Sequence, residues 1–346
     1  MSRLRTLCAS LAAAGLFLAP LPAADAFGPA TSSARQSVQS RLLTEFARFA
    51  TLSDGTVGIA VRDLSTGETI ALNGETLFPM ASTYKVAVAG KILSMVDAGA
   101  LSLDTMIAVD PALLSEGGIA DLLPHGGASF SVANLLDLML TRSDNNATDM
   151  LVARAGGPAA VESWLGSIGV KGMRVDSNTA QLLYRAMGLR PGTGNFRHNV
   201  EAAMEADSSL REREVRDLPN IAFATDPRDS ATPRAMTDML AAIQLGKALR
   251  PASTATLLVI MTRCRTGASR LKAMLPPGTA VAHKTGSLNG LGNDVGLVTL
   301  PDGRLFAISV FVMKDSKGHE ARDRIMAEAA RAAYDYFLYA PDRGKA

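Results

Sequence analysis

Apolar residues near both ends of the chain form short runs with the length and spacing of β-strands. Residues 56–61 and 68–72 are separated by a polar turn sequence that ends in Gly67, which predicts an antiparallel hairpin. Toward the C-terminus, a second group of apolar runs surrounds a turn sequence at residues 301–303. The five predicted strands cover residues 56–61, 68–72, 280–283, 295–299 and 305–313.

Between these two groups of strands, apolar residues recur at the spacing of helices. Ser230 or Thr232 caps one of these helices, which has Pro233 in its first turn, where proline is tolerated. We expect further helices before the first hairpin and after the last strand. The predicted helices cover residues 37–49, 132–140, 147–155, 159–168, 232–245 and 320–337.

Strands at both ends of the chain with helices between them predict an α/β protein of the α+β kind, with one sheet built from both termini. We expect a discontinuous α/β domain at residues 37–80 and 267–340, and an all-helical domain at residues 81–266. The cleft between two such parts is the expected place for a site.

One stretch of the helical region has a different composition. Residues 189–228 are polar, carry scattered charges and are interrupted by proline and glycine. This pattern predicts a long loop or lid, with at most one short helix near residues 200–205. It forms most of an extended loop at about residues 174–229.

The first 26 residues have the pattern of an export signal. Arg3 and Arg5 precede an apolar run at residues 7–21, and a small-residue cleavage pattern follows. We therefore expect a periplasmic or secreted protein whose mature chain begins near Phe27. A retained N-terminal anchor is the alternative, but prolines interrupt the run and it is short for a bilayer.

Charge and cysteine content narrow the functional classes. The net charge of +2 is nearly balanced, so no broad basic face is expected to bind nucleic acid. Cys8 leaves with the export signal, and Cys264 then has no partner for an intramolecular disulfide, so we expect it to be a buried thiol. We expect a monomer without stable membrane association that acts on a small or cell-wall substrate.

A serine and a lysine three residues apart are the first candidates for catalysis. Ser82 and Lys85 open a largely apolar helix, and residues at this spacing share one helical face. Burial and the positive end of the helix favour a neutral lysine, which can accept the proton of a serine that is otherwise a weak nucleophile. The same pair also occurs by chance, as a capping serine and a surface lysine.

Two further motifs change this interpretation. Ser143, Asp144 and Asn145 lie about 60 residues downstream between two helical segments, and residues 284–287 (Lys-Thr-Gly-Ser) end a predicted strand. Each alone is compatible with a turn or a helix cap. Together, in this order and in an exported chain, they resemble the three motifs of the class A serine β-lactamases and their penicillin-binding relatives. The residue roles given below are those that this resemblance implies.

The resemblance covers residues 41–337 and implies a fold and a set of roles. The implied fold is a five-stranded antiparallel sheet flanked by helices, facing an inserted all-helical domain. Ser82 would attack the lactam carbonyl and Lys85 would accept or relay its proton. Ser143 would pass a proton to the leaving nitrogen with help from Lys284.

The same resemblance implies the groups that bind the substrate. The backbone N–H groups of Ser82 and Ser287 would form the oxyanion hole. Asn145 would hold the side-chain amide of the substrate, and Arg270 matches a carboxylate-binding arginine that some class A enzymes carry. The implied substrate-binding set is Asn145, Thr285, Gly286, Ser287 and Arg270.

The chain departs from the family pattern in the loop after the second motif. Typical class A enzymes have a Glu there that activates the deacylating water, whereas this chain has Thr179, and Ser177 replaces the arginine that braces the loop. About 37 residues are inserted after it. Three options stay open: a carboxylate from the insertion, a second use of Lys85 as base, or a persistent acyl-enzyme. The candidate carboxylates are Glu201 and Glu205, and less favoured Glu212 and Glu214.

The sequence therefore predicts a serine β-lactamase, associated with antibiotic resistance, that hydrolyses a small-molecule β-lactam through a Ser82 acyl-enzyme. One alternative is a D-alanyl-D-alanine peptidase or another cell-wall amidase or esterase. Another is a noncatalytic sensor or binding protein that β-lactams acylate. The four histidines are scattered without paired Cys/His spacing, so we expect no metal or other cofactor. His283 is expected to be a spacer or a residue beside the substrate.

Overall fold

The computed structural model describes residues 32–111, 114–115, 117–123, 125–192 and 196–339. The predicted export signal at residues 1–26 lies outside the described residues. Among those that are described, no helix is both long and apolar enough to cross a membrane.

A five-stranded antiparallel sheet forms the centre of the fold, as predicted, and both ends of the chain contribute to it. Its strands are β1 Thr56–Asp63, β2 Thr69–Leu72, β7 Val281–Leu288, β8 Leu291–Thr299 and β9 Leu305–Met313. Across the sheet they lie in the order β2-β1-β9-β8-β7. The register places Ile59 beside Val310 on the central pair.

Two strands extend further than predicted. β7 runs on through the Lys-Thr-Gly-Ser motif to Leu288, and β8 begins at Leu291 rather than at residue 295. The added part of β8 contains Asn293 and Asp294, which are polar yet fully buried. Asn293 donates hydrogen bonds to the carbonyls of residues 79 and 80, so this segment is buried by polar contacts that an apolar pattern does not reveal.

The sheet separates two cores because successive strand residues point to opposite faces. On β9, Ile308 and Val310 pack toward the two terminal helices, α1 Ser32–Ala50 and α13 His319–Tyr339. Phe311, the next residue along, packs toward the central helices.

The central helices surround one almost fully buried helix, α2 Lys85–Asp97. It packs so closely on its neighbours that a Cβ atom at Gly90 would lie 2.1 Å from the ring of Trp164. The remaining helices of this part are α3 Ile119–Leu122, α4 Val132–Thr141, α5 Asn145–Ala155, α6 Pro158–Ser167, α7 Thr179–Met187, α11 Pro233–Gln244 and α12 Pro251–Thr262. Two small sheets complete it: β3 Phe78–Pro79 with β6 Ser230–Ala231, and β4 Met106–Ala108 with β5 Ser129–Ser131.

The prediction that residues 189–228 form a loop with at most one short helix is wrong. Among the residues of this stretch that the structure describes, three helices occur: α8 Phe196–Ala206, α9 Ser208–Val215 and α10 Ile221–Ala224. Only Phe196 and Val200 are buried on α8, and no residue is buried on α9. On α8, Phe196, Val200 and Met204 recur at helical spacing among polar residues, whereas α9 has no buried face that could produce a periodic pattern.

The inserted segment, residues 189–228, is fastened to the far end of the sheet. The carboxylate of Asp217 pairs with the Arg322 guanidinium and accepts a hydrogen bond of 3.0 Å from the N–H of Gly290. Asn289 donates to the Glu214 carboxylate at 2.8 Å. These contacts hold the segment against the turn between β7 and β8 and the start of α13.

Candidate active site

Ser82 lies in a short 3-10 helix, Ala81–Tyr84, which leads into α2. The sequence places this serine in the first turn of an α-helix, and the structure instead begins α2 at Lys85. Ala81 has a φ of 45°, a left-handed conformation that costs a non-glycine residue energy and that turns the chain sharply out of β3. Residues three apart eclipse each other on a 3-10 helix, so Ser82 and Lys85 still point to the same side.

The hydroxyl of Ser143 lies between two lysine amines. Lys85 Nζ is 3.3 Å from Ser143 Oγ, and Lys284 Nζ is 3.0 Å from the same oxygen. Lys85 also donates to the backbone carbonyl of Ser143 and to Asn145 Oδ1, both at 2.8 Å. Three segments that are far apart in the sequence therefore meet at one point.

The two lysines are fully buried, in contrast to the two serines of the site. Burial, followed by the charge of nearby Lys284, holds the pKa of Lys85 well below its usual value of 10.5. Burial also lowers the pKa of Lys284, to about 8. Ser82 and Ser143 are partly exposed. The arrangement favours a neutral amine that can accept a proton from a hydroxyl group.

Asp144 fixes the turn that carries Ser143 and Asn145. Its side chain caps α5 by accepting from the N–H of Ala147 at 2.8 Å, and it accepts from Ile119 N–H at 2.9 Å. Ser143 itself has a φ of 61° between α4 and α5. The buried carboxylate thus stabilises a turn that points its neighbours toward Lys85.

The Gly286 position brings β7 against the serine segment. A Cβ atom there would lie 2.7 Å from the carbonyl oxygen of Met80 and 3.1 Å from the N–H nitrogen of Ser82. Only glycine permits this approach, which places Ser287 on the edge of the same cleft as Ser82. Thr285, one residue earlier, shares a hydrogen bond of 2.6 Å with Thr266.

Arg270 is buried and binds protein groups. Its guanidinium pairs with Asp323 at 2.7 Å and donates to the Ser287 hydroxyl at 2.7 Å. It also donates to the carbonyls of Gly286 and Asn293. Direct binding of a substrate carboxylate by Arg270 stays a prediction, while its contacts in the structure position Ser287.

Known proteins match this chain over most of its length and have the same fold. The model of the beta-lactamase enzyme family matches residues 41–337. The chain belongs to this family. The extended-spectrum beta-lactamase PER-1 of Pseudomonas aeruginosa is 30% identical over 317 residues, covering 89% of this chain and 91% of that protein. Beta-lactamase L2 of Stenotrophomonas maltophilia is 28% identical, covering 96% of this chain and 98% of that protein.

Solved structures of beta-lactamases have the same architecture. The crystal structure of a beta-lactamase from Chitinophaga pinensis has 32% sequence identity and a TM-score of 0.69, and the match covers 85% of this chain and 98% of that chain. The TLA-1 extended-spectrum beta-lactamase has 27% identity and a TM-score of 0.70. The resemblance to class A β-lactamases is thereby confirmed for the fold.

At the loop where this beta-lactamase family member has Thr179, the structure shows a compact buried cluster. The Thr179 hydroxyl lies 2.8 Å from the Tyr84 hydroxyl, and its N–H donates to Asp149 Oδ1 at 2.6 Å. Neither Tyr84 nor Asp149 was among the predicted site residues. The position of Tyr84 between Ser82 and Lys85 is the one sequence feature that indicates its location.

The loop is braced by an arginine that the sequence analysis missed. Arg185 on α7 pairs with the buried carboxylate of Asp229 and, at 2.9 Å, with Asp226. The same Asp229 accepts from the backbone N–H groups of Asp176 and Ser177. Ser177 replaces the expected arginine, but the positive charge is supplied eight residues further along the chain.

The candidate carboxylates of the inserted segment bind other partners. Glu201 is exposed and pairs with Arg197 at 2.9 Å, Glu212 pairs with Arg216, and Glu214 accepts from Asn289. Glu205 is exposed. Glu201 and Glu214 border a cavity of about 640 Å³ that lies between the inserted segment and the turn after Ser287. None of these contacts involves Thr179, Lys85 or Ser82 within the described residues.

His283 lies behind the strand, out of reach of a substrate. It is fully buried, and its Nδ1 is 2.9 Å from Asp294 Oδ1. Burial lowers its pKa, but the Asp294 carboxylate more than compensates and raises it to about 9. Of the two expectations for His283, this buried position fits a spacer rather than a residue beside the substrate, and the residue supports the strand that carries Lys284. Cys264 is a buried free thiol, as predicted.

Proposed function

We propose that this protein is a serine β-lactamase that opens the lactam amide through an acyl-enzyme on Ser82. The observation that carries the proposal is the Ser143 hydroxyl, which both Lys85 and Lys284 approach within hydrogen-bonding distance. This arrangement supports a proton path from Lys85 through Ser143 to the leaving nitrogen, with Ser82 three residues before Lys85 as the nucleophile.

In acylation, Ser82 Oγ attacks the lactam carbonyl carbon while Lys85 takes the hydroxyl proton. The lowered pKa of Lys85 makes its neutral form available for this step. The 3-10 helix orients the hydroxyl and the amine to one side. The carbonyl π electrons move onto oxygen, which gives a tetrahedral oxyanion.

The oxyanion needs donors placed where its charge develops. The N–H groups of Ser82 and Ser287 are proposed for this role, since Gly286 lets β7 approach the serine segment closely. Preorganised donors of this kind are worth about 3–4 kcal/mol each in rate when one is removed.

Collapse of the intermediate breaks the carbon–nitrogen bond, and the nitrogen must receive a proton. Ser143 is placed to give its own hydroxyl proton to the nitrogen and to recover one from Lys85. A charged Lys284 beside Ser143 makes that hydroxyl a better donor. The proton removed from Ser82 thus ends on the amine of the opened lactam.

Polar groups around the nucleophile are proposed to orient the substrate. The hydroxyls of Thr285 and Ser287 would donate hydrogen bonds to the carboxylate of the β-lactam, with Arg270 fixing Ser287 by its 2.7 Å hydrogen bond. Because Asn145 accepts from Lys85 through Oδ1, its NH₂ group remains to donate to the side-chain amide of the substrate.

We further propose that the protein acts as an exported monomer. The arginine pair, apolar run and small-residue cleavage pattern of residues 1–26 support export. N-terminal sequencing of protein secreted by a bacterial host tests this, since an uncleaved N-terminus contradicts it. A mass from light scattering that exceeds one chain contradicts the monomer.

Turnover tests the function directly. Loss of lactam absorbance is followed for a penicillin, a cephalosporin and a carbapenem with the purified protein and with Ser82→Ala. We expect hydrolysis of at least one of them by the native protein and none by the variant. Release of D-alanine from a D-alanyl-D-alanine peptide without any lactam hydrolysis contradicts the proposal.

A further inference from the structure

The site at Thr179 has a hydroxyl where the family resemblance predicts a carboxylate. Thr179 is 4% exposed and begins α7. Its hydroxyl shares a hydrogen bond of 2.8 Å with Tyr84, whose phenol is buried in the 3-10 helix that carries Ser82. A threonine hydroxyl has one proton to donate and two lone pairs, so it can pass a proton on but cannot retain one.

A carboxylate lies directly behind this threonine. Asp149 is 2% exposed, and its Oδ1 accepts from Thr179 N–H at 2.6 Å while its Oδ2 accepts from Ala180 N–H at 3.2 Å. Burial raises the pKa of Asp149, against the opposing effects of the Thr179 side chain, these two N–H groups and the charge of Lys85. The carboxylate is thus more basic than an exposed aspartate.

The helix that carries Asp149 also reaches the catalytic amine. Asn145 and Asp149 are four residues apart on α5, so they lie on one face, with their Cβ atoms about 6 Å from each other. Asn145 accepts from Lys85 Nζ at 2.8 Å. Asp149 therefore lies one helical turn from the residue that binds Lys85, and its charge raises the pKa of Lys85.

Other nearby carboxylates have different tasks. Asp144 caps α5, and Asp229 is neutralised by Arg185 and accepts from backbone N–H groups of the loop. The acidic residues of the inserted segment pair with arginines or with Asn289, or are exposed. Asp149 is the carboxylate that the described contacts place against Thr179.

We propose that Asp149, acting through the Thr179 hydroxyl, accepts the proton of the water that clears the acyl-enzyme. This inference rests on the proposed function. As the water oxygen bonds to the ester carbonyl carbon, its proton passes to Thr179 Oγ, and the Thr179 proton passes to Asp149. The intermediate then breaks its bond to Ser82 Oγ, and the proton held by Asp149 returns to that oxygen. Water and ester are thereby converted to carboxylic acid and free serine.

Tyr84 holds this relay in position. Burial and the charge of Asp149 raise the pKa of the phenol well above 10, so it stays protonated and can donate to Thr179. One lone pair of the threonine oxygen then remains to accept from water. Burial raises the pKa of Asp149 and lowers that of Lys85, and the carboxylates of Asp144 and Asp229 provide further negative charge around the cluster.

The experiment separates formation of the acyl-enzyme from its loss. Full-length mature protein is mixed with a penicillin, and intact mass is recorded over time for the native protein, Asp149→Asn and Thr179→Val. Thr179→Ser keeps the hydroxyl. The matched control is Asp63→Asn, because Asp63 is also a buried carboxylate that accepts from two backbone N–H groups, but on the β1–β2 turn.

We expect adducts in every variant, with a lifetime about 100-fold longer or more in Asp149→Asn and Thr179→Val, the size of effect that general-base catalysis supplies. Thr179→Ser and Asp63→Asn should clear the adduct at a rate close to the native one. The clearance rate of the native adduct should fall as acidic pH protonates Asp149, and this dependence should disappear in Asp149→Asn. If Asp149 had a purely structural role, Asp149→Asn would keep this pH dependence.

Three results overturn the inference while leaving acylation intact. They are an unchanged adduct lifetime in Thr179→Val, an equal lengthening in Asp63→Asn, and a native adduct that never clears. If Asp149→Asn does not fold, Thr179→Val and Thr179→Ser still decide the question. Absence of any adduct in the native protein contradicts the proposed function itself.

Discussion

Lys284 Nζ lies 3.0 Å from the hydroxyl oxygen of Ser143, across a separation of 141 residues in the sequence. The contact joins the end of the central sheet to the turn between α4 and α5. It also puts a second buried amine beside a hydroxyl that already contacts Lys85. Ser143 is therefore the point at which the two halves of the site are connected.

Removal of this hydroxyl should slow acylation. In Ser143→Ala, the lactam nitrogen loses its proton donor, and we expect the acylation rate to fall by about 100-fold or more, as for the loss of a general acid. Stopped-flow absorbance with a chromogenic cephalosporin measures it. Ser167→Ala is the matched control, because that hydroxyl binds the Trp164 carbonyl on α6, away from the site. Equal rates in the two variants would exclude Ser143 from proton transfer.

The pKa of Lys284 should set the upper end of the pH range in which acylation is fast. Burial lowers its pKa to about 8, so the charge beside Ser143 is present below this pH and is lost above it. The acylation rate should therefore decline as the pH rises through about 8. Lys284→Arg keeps the charge to much higher pH, so the decline should move upward even if the absolute rate is lower. An unchanged pH profile in this variant contradicts the assignment.

The Arg185 brace should dominate the stability of the loop. Asp229 is 1% exposed, and loss of Arg185 leaves its charge buried without its main partner. Breaking such a pair costs about 3–5 kcal/mol in the free energy of unfolding. Urea denaturation of Arg185→Ala measures this cost. Arg228→Ala is the control, since Arg228 is an exposed partner of Asp226 and should change stability by about 1 kcal/mol at most.

The contacts of Asp217 should decide whether the inserted segment stays docked. Asp217→Ala removes the partner of Arg322 and the acceptor for Gly290 N–H. We expect faster proteolysis within residues 196–224 and faster amide exchange there, with little change in the central sheet. Glu212→Ala removes only an exposed ion pair on α9 and should leave both unchanged. Equal protection in the two variants would show that Asp217 does not hold the segment.

The sequence predicts the sheet well because the strands at both chain ends have apolar residues at alternating or successive positions. These residues pack into the two cores on either side of the sheet. The prediction fails at Asn293 and Asp294, where buried polar groups replace apolar ones, and at α8 and α9, where few side chains are buried. Helix α12 was also missed. Its twelve residues include three threonines, one valine and one isoleucine, and such β-branched residues lower the helix propensity of a segment.

The lysines and serines of the site were selected because their three motifs resemble those of a known family, and the structure brings Lys85, Ser143 and Lys284 together. The contacts of Tyr84 with Thr179, and of Arg185 with Asp229, were not predictable, since they join residues from different elements that no local pattern links. The same holds for Asp149, which in the sequence is an unremarked position on a helix. Its relation to Thr179 depends on how α5 packs against the start of α7.

Intact-mass spectrometry of the mature protein mixed with a penicillin tests the central claim most directly. Spectra taken from seconds to hours should show a mass increase equal to one penicillin on the native protein. The increase should be absent in Ser82→Ala and should decline as hydrolysed product accumulates. A native protein that gains no mass, or a Ser82→Ala variant that gains the same mass, would contradict acylation at Ser82.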